Sequence, residues 1–523
     1  LATPIADMSS SVEIGPGAEE RCGGSSLFTV LVQSEDVAGS EHSILRLIEG
    51  EDAELAWQVD LGVTEKVKAS PVVIDIDEDG SPEIVVAYDA GGSLHVDVWS
   101  PRMSCSVTGW AYSGHSEDLL WTWSDESLMI SSEEGPYTSG ILGGHKPTTQ
   151  PLLADLDLDG DAELVIAALD EISEKPVVLA LPMQTSGSPN TLWQVSLSKG
   201  SHPSDPAFAQ VDDDTGYVLL TTIEANNGGM WVWKIDSETG SSIWQGGLSL
   251  NNLDGDTNSP HVRLPGPIIA NLDSDSDPEI IVTIPSDADG STAVDGAEFR
   301  GIEISDGSQL WEFEATNGFA DAPPTAIDTD GDGMHDRVCW NTWWQTTTDR
   351  QGAAGCHDVG GTVPNQEWAQ DLEQSSGNPN DEIAVAAPIW MNIDSEDEPE
   401  LLVSYGRSLW AFDGSSGSPA GINSEWSNDI ELSHRTWSSP AIADVDGDAT
   451  ADIVLGSMVV SMAMPDVRPI TDGRGIEFNP SAPDPGEEVT VTVYIENAGT
   501  ADTEEVVDVA IFCQRRKDWG GGH

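Results

Sequence analysis

The sequence predicts an all-β fold: a seven-bladed β-propeller followed by a partial β-sandwich. Three observations carry this reading. A unit of two short apolar strands around an acid-rich loop recurs six times, and once more in degenerate form. A strand bearing Trp returns at a similar place in several of these units. Gly (52) and Pro (31) are frequent among the 523 residues, and helix-forming runs are scarce.

The repeat comes first, because a fixed period decides the architecture. Its copies are residues 71–86 (PVVIDIDEDGSPEIVV), 151–166 (PLLADLDLDGDAELVI), 267–282 (PIIANLDSDSDPEIIV), 324–339 (PTAIDTDGDGMHDRVC), 388–403 (PIWMNIDSEDEPELLV) and 440–455 (PAIADVDGDATADIVL), with a degenerate copy at 206–220 (PAFAQVDDDTGYVLL). The loops begin at 75, 155, 210, 271, 328, 392 and 444, a spacing of about 60 residues. That period exceeds a WD40 blade and leaves room for four strands with their loops.

The remainder of each unit supplies the other strands. Third strands read at 93–99 (SLHVDVW) and 230–235 (MWVWKI). Fourth strands carry Trp57, Trp121 with Trp123, Trp193, Trp244 and Trp311. A four-stranded unit repeated radially is a propeller blade. The last repeat gives out near Met464, while residues 27–59 offer strands before the first full repeat. N-terminal strands completing the final blade give seven blades; a separate blade for the strand at 27–33 gives eight. The domain plan is an N-terminal extension at 1–24, the propeller at 25–464, a partial immunoglobulin-like domain at 465–514 and a flexible tail at 515–523.

Within each loop, oxygen-bearing side chains fall at positions 1, 3, 5 and 9. These are Asp75, Asp77, Asp79 and Glu83; Asp155, Asp157, Asp159 and Glu163; Asn271, Asp273, Asp275 and Glu279; Asp328, Asp330, Asp332 and Asp336; Asn392, Asp394, Glu396 and Glu400; and Asp444, Asp446, Asp448 and Asp452. Alternate residues of a tight turn converge on one centre, and Ca²⁺ takes six to eight oxygens. Gly80 at position 6 permits the sharp turn. Four or five carboxylates in nine residues repel one another without a cation. The expectation is about six Ca²⁺ sites. The closing acid at position 9 and the flanking strands distinguish the loop from an EF-hand. The degenerate copy offers Gln210, Asp212 and Asp214 without a closing acid, and no metal is expected there.

This strand–DxDxDGxxD/E–strand unit resembles the FG-GAP/VCBS repeat of integrin-α-type β-propellers. The resemblance covers about residues 25–464 and implies Ca²⁺ in loops on one face of the ring. It leaves function open, since such propellers serve adhesins, lectin-like modules and some polysaccharide lyases. The Trp-bearing fourth strand is similar to that of quinoprotein blades. Residues 465–514, with strands read at 476–480, 488–496 and 505–513, resemble the first half of a CARDB-type immunoglobulin-like domain of prokaryotic cell-surface proteins.

Charge narrows the partners. With 20 Lys and Arg against 92 Asp and Glu, the formal charge is −72, which excludes a nucleic-acid partner and argues against anionic lipid. The six loops account for 27 acids, so the other 65 still far outnumber the bases and the acidity belongs to the surface. No apolar run is long enough to span a membrane. The chain starts at Leu1 without a charged n-region or apolar h-region, read as a secreted product whose signal peptide has been removed. Extracellular or cell-surface localisation is the expectation. Of five cysteines, Cys339 and Cys356 flank a hairpin-sized segment and form the expected disulfide; Cys22 with Cys105 is a second pairing, leaving Cys513.

Two constellations bear on chemistry. His145, His261 and His434 each lie six residues before a first-strand Pro, and His202 lies four before its own. They could ring one mouth of the channel with Lys146 and Arg435 as a metal or sugar-acid site; the plainer reading is loop histidines bonded to backbone. Trp340, Trp343 and Trp344 could form an exposed sugar platform; the plainer reading is blade core. No convergent acid–base set stands out. The leading expectation is therefore an adhesion or structural protein, not an enzyme, with surface glycans or proteins as partners. Copies of itself are a further partner: the segment at 10–14 would complete the half-sandwich of the next subunit, building a filament. A polysaccharide-binding or polysaccharide-degrading protein (lyase or hydrolase) using the propeller mouth is the alternative.

Overall fold

The computed structural model describes most of residues 27–460, the longest gaps being 131–148, 251–263, 287–295, 373–385, 420–428 and 432–438. Outside that span it describes 5–7, 12–14, 467–469, 476–479, 490–493 and 495–497. Eight successive antiparallel sheets form an eight-bladed β-propeller. Blade 1 consists of Ile5–Asp7, Leu27–Val37, Ser40–Glu49 and Leu55–Asp60. The first strands of blades 2 to 8 begin at Val72, Leu152, Ala207, Ile268, Thr325, Ile389 and Ala441.

The count corrects the expected seven. Leu27–Val37 pairs along its whole length with Ser40–Glu49, through a turn at Ala38 and Gly39 with φ of 56° and 91°. Ile5–Asp7 covers its other edge. With both edges paired inside one sheet, the N-terminal strands make a blade of their own. Blade 8 has three strands among the described residues, all from its own repeat. The N-terminal segment also supplies Val12–Ile14, which runs parallel to Met103–Ser106 of the same chain.

The second strand of each blade explains why it reads as a continuous apolar run. Successive side chains point to opposite faces of a sheet, and each blade is covered on both faces. In Glu83–Ala90, Ile84, Val86 and Tyr88 pack with blade 1, whereas Val85 and Ala87 pack with blade 3. Seven apolar clusters of this kind join blades 1 through 8 in sequence.

The fourth-strand tryptophans tie neighbouring blades. Trp57 Nε1 donates to Asp118 Oδ2 at 3.0 Å, Trp121 Nε1 to the Gln184 carbonyl at 2.7 Å, and Trp193 Nε1 to the Ser237 carbonyl at 2.7 Å. Trp368, not anticipated from the sequence, does the same with the Gly414 carbonyl at 3.0 Å. Trp244 lies outside the strands of blade 4. Cys339 and Cys356 face each other directly across two paired strands, 4.1 Å apart at Cα, and form the disulfide. Cys105 is disulfide-bonded as well; Cys22 lies outside the described residues.

No separate β-sandwich is distinguished. Residues 467–497 give two pairings among the described residues, Val467–Pro469 with Ile495–Asn497 and Ile476–Asn479 with Thr490–Val493. The strand expected at 505–513 lies outside the described residues.

Candidate metal centres

Each acidic loop joins the first strand of a blade to its second. Because all blades share one strand order, these loops and the turns between third and fourth strands lie on the same face of the ring. The closing acid is the first residue of the second strand in blades 2, 3, 5, 7 and 8: Glu83, Glu163, Glu279, Glu400 and Asp452, all buried. One carboxylate oxygen accepts the backbone N–H of loop position 2 in six blades. The donors are Ile76 at 3.0 Å, Leu156 at 2.8 Å, Leu272 at 2.6 Å, Thr329 at 2.9 Å, Ile393 at 2.7 Å and Val445 at 2.9 Å.

Position 1 organises the turn. Asp155 Oδ1 and Oδ2 accept the N–H groups of Asp159 and Gly160 at 3.0 and 2.9 Å, and Asp75 does the same with Asp79 and Gly80 at 3.1 and 2.8 Å. Position 6 is left-handed, with φ of 87° at Gly80 and 102° at Gly160. Position 4 is left-handed too, with Glu78 at 56° and Leu158 at 60°, a conformation that disfavours a side chain.

Three carboxylates come within 4.8 Å of one another in four blades. These are Asp75, Asp77 and Glu83; Asp155, Asp157 and Glu163; Asp273, Asp275 and Glu303; and Asp328, Asp330 and Asp332. Two oxygens bound to one Ca²⁺ at about 2.4 Å are at most about 4.8 Å apart, so these groups suit one cation each.

Other expected ligands fall outside these four groups. Asp79 and Asp159 fall outside their clusters, with Oδ1 accepting the N–H of Ser81 at 2.7 Å and of Asp161 at 2.9 Å. Asp336 is engaged by the N–H of Thr329 and, through Oδ2, by its hydroxyl at 2.5 Å. Asn392 and Glu400 of blade 7 and Asp444 and Asp452 of blade 8 are described; Asp394, Glu396, Asp446 and Asp448 lie outside the described residues. In blade 4 the strands Ala207–Asp212 and Thr215–Ile223 stay paired up to Asp212 and Thr215, so the degenerate copy closes as a tight hairpin.

The donor set fits a hard divalent cation. Glu279 Oε1 and Asp452 Oδ1 are buried without a hydrogen-bond partner. Burial, reinforced by the aspartates beside them, pushes the Glu163 and Glu279 carboxyls up to about 7 and raises that of Glu83. A bound cation reverses this preference by favouring the anionic form.

Glu303 was not foreseen. It occupies the first position of the turn between third and fourth strands, where blades 4 and 7 carry Asp236 and Asp413. Those aspartates cap their own turns, accepting the N–H of Thr239 at 2.9 Å and of Ser416 at 2.6 Å. A glutamate in an aspartate's place was the available signal.

The other constellations resolve differently. Trp340 is fully buried between blades 5 and 6, where Trp344 packs against the same cluster, and Trp343 is fully buried between blades 6 and 7, so these residues are core rather than a sugar platform. His202 is buried, its Nδ1 2.9 Å from Ser201 Oγ, in a two-residue strand paired with Thr215–Ile223. His145, His261 and His434 lie outside the described residues, as do Lys146 and Arg435. No helix among the described residues is long and apolar enough to cross a membrane.

No family model and no curated protein matches the chain. Solved structures of similar fold include the Dos1 propeller (8% identity, 83% of this chain and 88% of that one, TM-score 0.42). Sqt1 from Chaetomium thermophilum is another (11% identity, 83% and 93% covered, TM-score 0.42). A rhamnogalacturonan lyase from Bacillus licheniformis matches at 12% identity over 81% of this chain and 87% of that one, with a TM-score of 0.31. These likenesses concern the propeller fold alone, and the blade count rests on the sheet topology. The expectation that placed an enzyme second is corrected: the chain carries several carboxylate clusters able to coordinate a ligand, the kind of apparatus a catalytic site needs.

Proposed function

We propose that the chain is an extracellular, calcium-loaded propeller that binds an acidic polysaccharide on the face carrying the acidic loops and degrades it at the propeller mouth. The observation that supports this best is the presence of carboxylate triads on one face of the ring, in a chain of net charge −72. A polyanion is repelled by such a surface unless divalent cations stand between. A triad supplies three of the six to eight oxygens that Ca²⁺ accepts, which leaves positions for a sugar carboxylate. The Cys339–Cys356 disulfide suits an oxidising compartment.

The test is affinity electrophoresis of the full chain through gels containing rhamnogalacturonan, polygalacturonate or a neutral glucan, with calcium or with EDTA. New unsaturated or reducing ends are measured in parallel. Calcium-dependent retardation by the acidic polymers with release of new ends is expected. Retardation without new ends would favour the adhesion reading over degradation. Equal mobility in all gels would overturn the proposal.

A further inference from the structure

The carboxylate cluster of blade 5 differs from the others in drawing on two turns. Its loop begins with Asn271, which carries no charge and whose contacts reach into the next blade. Asn271 Nδ2 donates to the Gly333 carbonyl at 2.7 Å, its carbonyl accepts the His335 N–H at 2.6 Å, and its N–H lies 3.2 Å from His335 Nδ1. These contacts fix the amide so that Asn271 Oδ1 is left buried without a hydrogen-bond partner.

Glu279 gives an independent observation. It is fully buried, its Oε2 accepts the Leu272 N–H, and its Oε1 has no hydrogen-bond partner. Its carboxylate lies close enough to Asp273, Asp275 and Glu303 to feel all three charges. A buried carboxylate oxygen with no hydrogen-bond partner is costly unless a cation completes it.

We propose that blade 5 holds a divalent cation between two turns, with Glu303 as a ligand that supplies the negative charge Asn271 lacks. This rests on the reading of the acidic loops as calcium sites. With Asn271 neutral, Glu303 joins Asp273 and Asp275 to restore the three clustered carboxylates that Asp75, Asp77 and Glu83 supply in blade 2. The extra methylene of Glu303 carries its carboxylate beyond the turn-capping position that Asp236 and Asp413 occupy. One oxygen still accepts the Ser305 N–H at 3.1 Å, which anchors the side chain. Only 8% of Glu303 is exposed, so its charge is directed inward.

A competing role for Glu303 is to balance Lys234. That side chain is buried, donates to the Ile304 carbonyl at 2.8 Å and sits over the Tyr217 ring at 3.9 Å. The two roles differ in outcome. If Glu303 binds the cation, Lys234→Met keeps the full number of bound ions and Glu303→Gln loses one. If Glu303 serves Lys234, neither change alters the number of ions.

The experiment measures calcium bound by the full chain, by titration calorimetry and by metal content after gel filtration. The variants are Glu303→Gln, Lys234→Met and Asp155→Asn. Glu303→Gln is expected to bind one ion fewer, or one ion at least tenfold more weakly, than the unmodified chain. Asp155→Asn should lose an ion from blade 3 whatever Glu303 does. If Asp155→Asn loses its ion and Glu303→Gln binds as the unmodified chain does, the role of Glu303 is overturned and the calcium reading stands. If the unmodified chain binds no calcium, both fall. Should Glu303→Gln not fold, Glu303→Asp, with the reach of Asp236, is measured the same way: loss of an ion supports the role and a full complement overturns it.

Discussion

The indole N–H of Trp193 donates to the Ser237 carbonyl at 2.7 Å, and its ring lies against Gly240 in the same turn of the next blade. Gly240 has φ of 68°, and a Cβ there would sit 2.8 Å from the ring. Trp368 repeats the arrangement with the Gly414 carbonyl and Gly417. Each such contact links the outer strand of one blade to a turn of the following one, so the blades are tied at their rims as well as through their cores.

Gly240→Ala is expected to destabilise the chain by about 2 kcal/mol, from overpacking together with the left-handed backbone. Chemical denaturation checks this. A change at an open left-handed site, Gly160→Ala, should cost about 1 kcal/mol, because only the backbone term applies. Equal effects at the two sites would argue against a packing role for the Trp193 contact.

Removal of calcium should lower thermal stability. Each ion bound by the folded state alone contributes about 2.7 kcal/mol at a hundredfold excess over its Kd. Melting curves in calcium and in excess EDTA should separate by tens of degrees. Superimposed curves would remove the ground for calcium in these loops.

Glu163→Gln should change sign with calcium. The amide oxygen can still accept the Leu156 N–H, and the buried charge is gone. Without calcium the carboxyl of Glu163 is raised from 4.5 to about 7. The stability attached to the protonated form is therefore complete below pH 4.5 and lost as the pH rises through about 7. At pH 8 in EDTA the Gln variant should be at least as stable as the unmodified chain, and in calcium it should be less stable. Denaturation under the two conditions reads both signs.

Leu158→Gly should raise stability. Leu158 holds φ of 60° in the blade 3 loop, where blade 6 carries Gly331 at 77°. Relief of the left-handed penalty, about 1 kcal/mol, outweighs the added freedom of the unfolded chain. Urea denaturation at saturating calcium measures it.

His357 sets an acid limit of its own. It is buried, stacked on Phe313 with ring centres 3.9 Å apart, and lies 3.2 Å from the indole N–H of Trp340. Burial depresses it from its ordinary 6.5 to about 4, so it is neutral in the fold. Its contribution is complete above pH 6.5 and is lost as the pH falls toward 4, by up to about 3 kcal/mol. His357→Gln, which keeps an acceptor for Trp340, should flatten the stability profile between pH 6.5 and 4.

The sequence by itself determined the repeat, the strand–loop–strand unit, the face on which the acids gather and the Cys339–Cys356 pair. All of these depend on local periodicity: alternation sets strand faces, and a short acidic turn with left-handed positions closes only one way. The tertiary structure decided the rest. Eight blades instead of seven followed from Ile5–Asp7 covering the edge of Leu27–Val37, a pairing across about twenty residues that no local pattern specifies. Glu303 joined Asp273 and Asp275 because two turns of one blade share a face, and one methylene decides whether a carboxylate reaches across. Trp343 turned inward because both faces of its blade are covered by neighbours, so burial was settled by packing between blades rather than by the residues beside it in the chain.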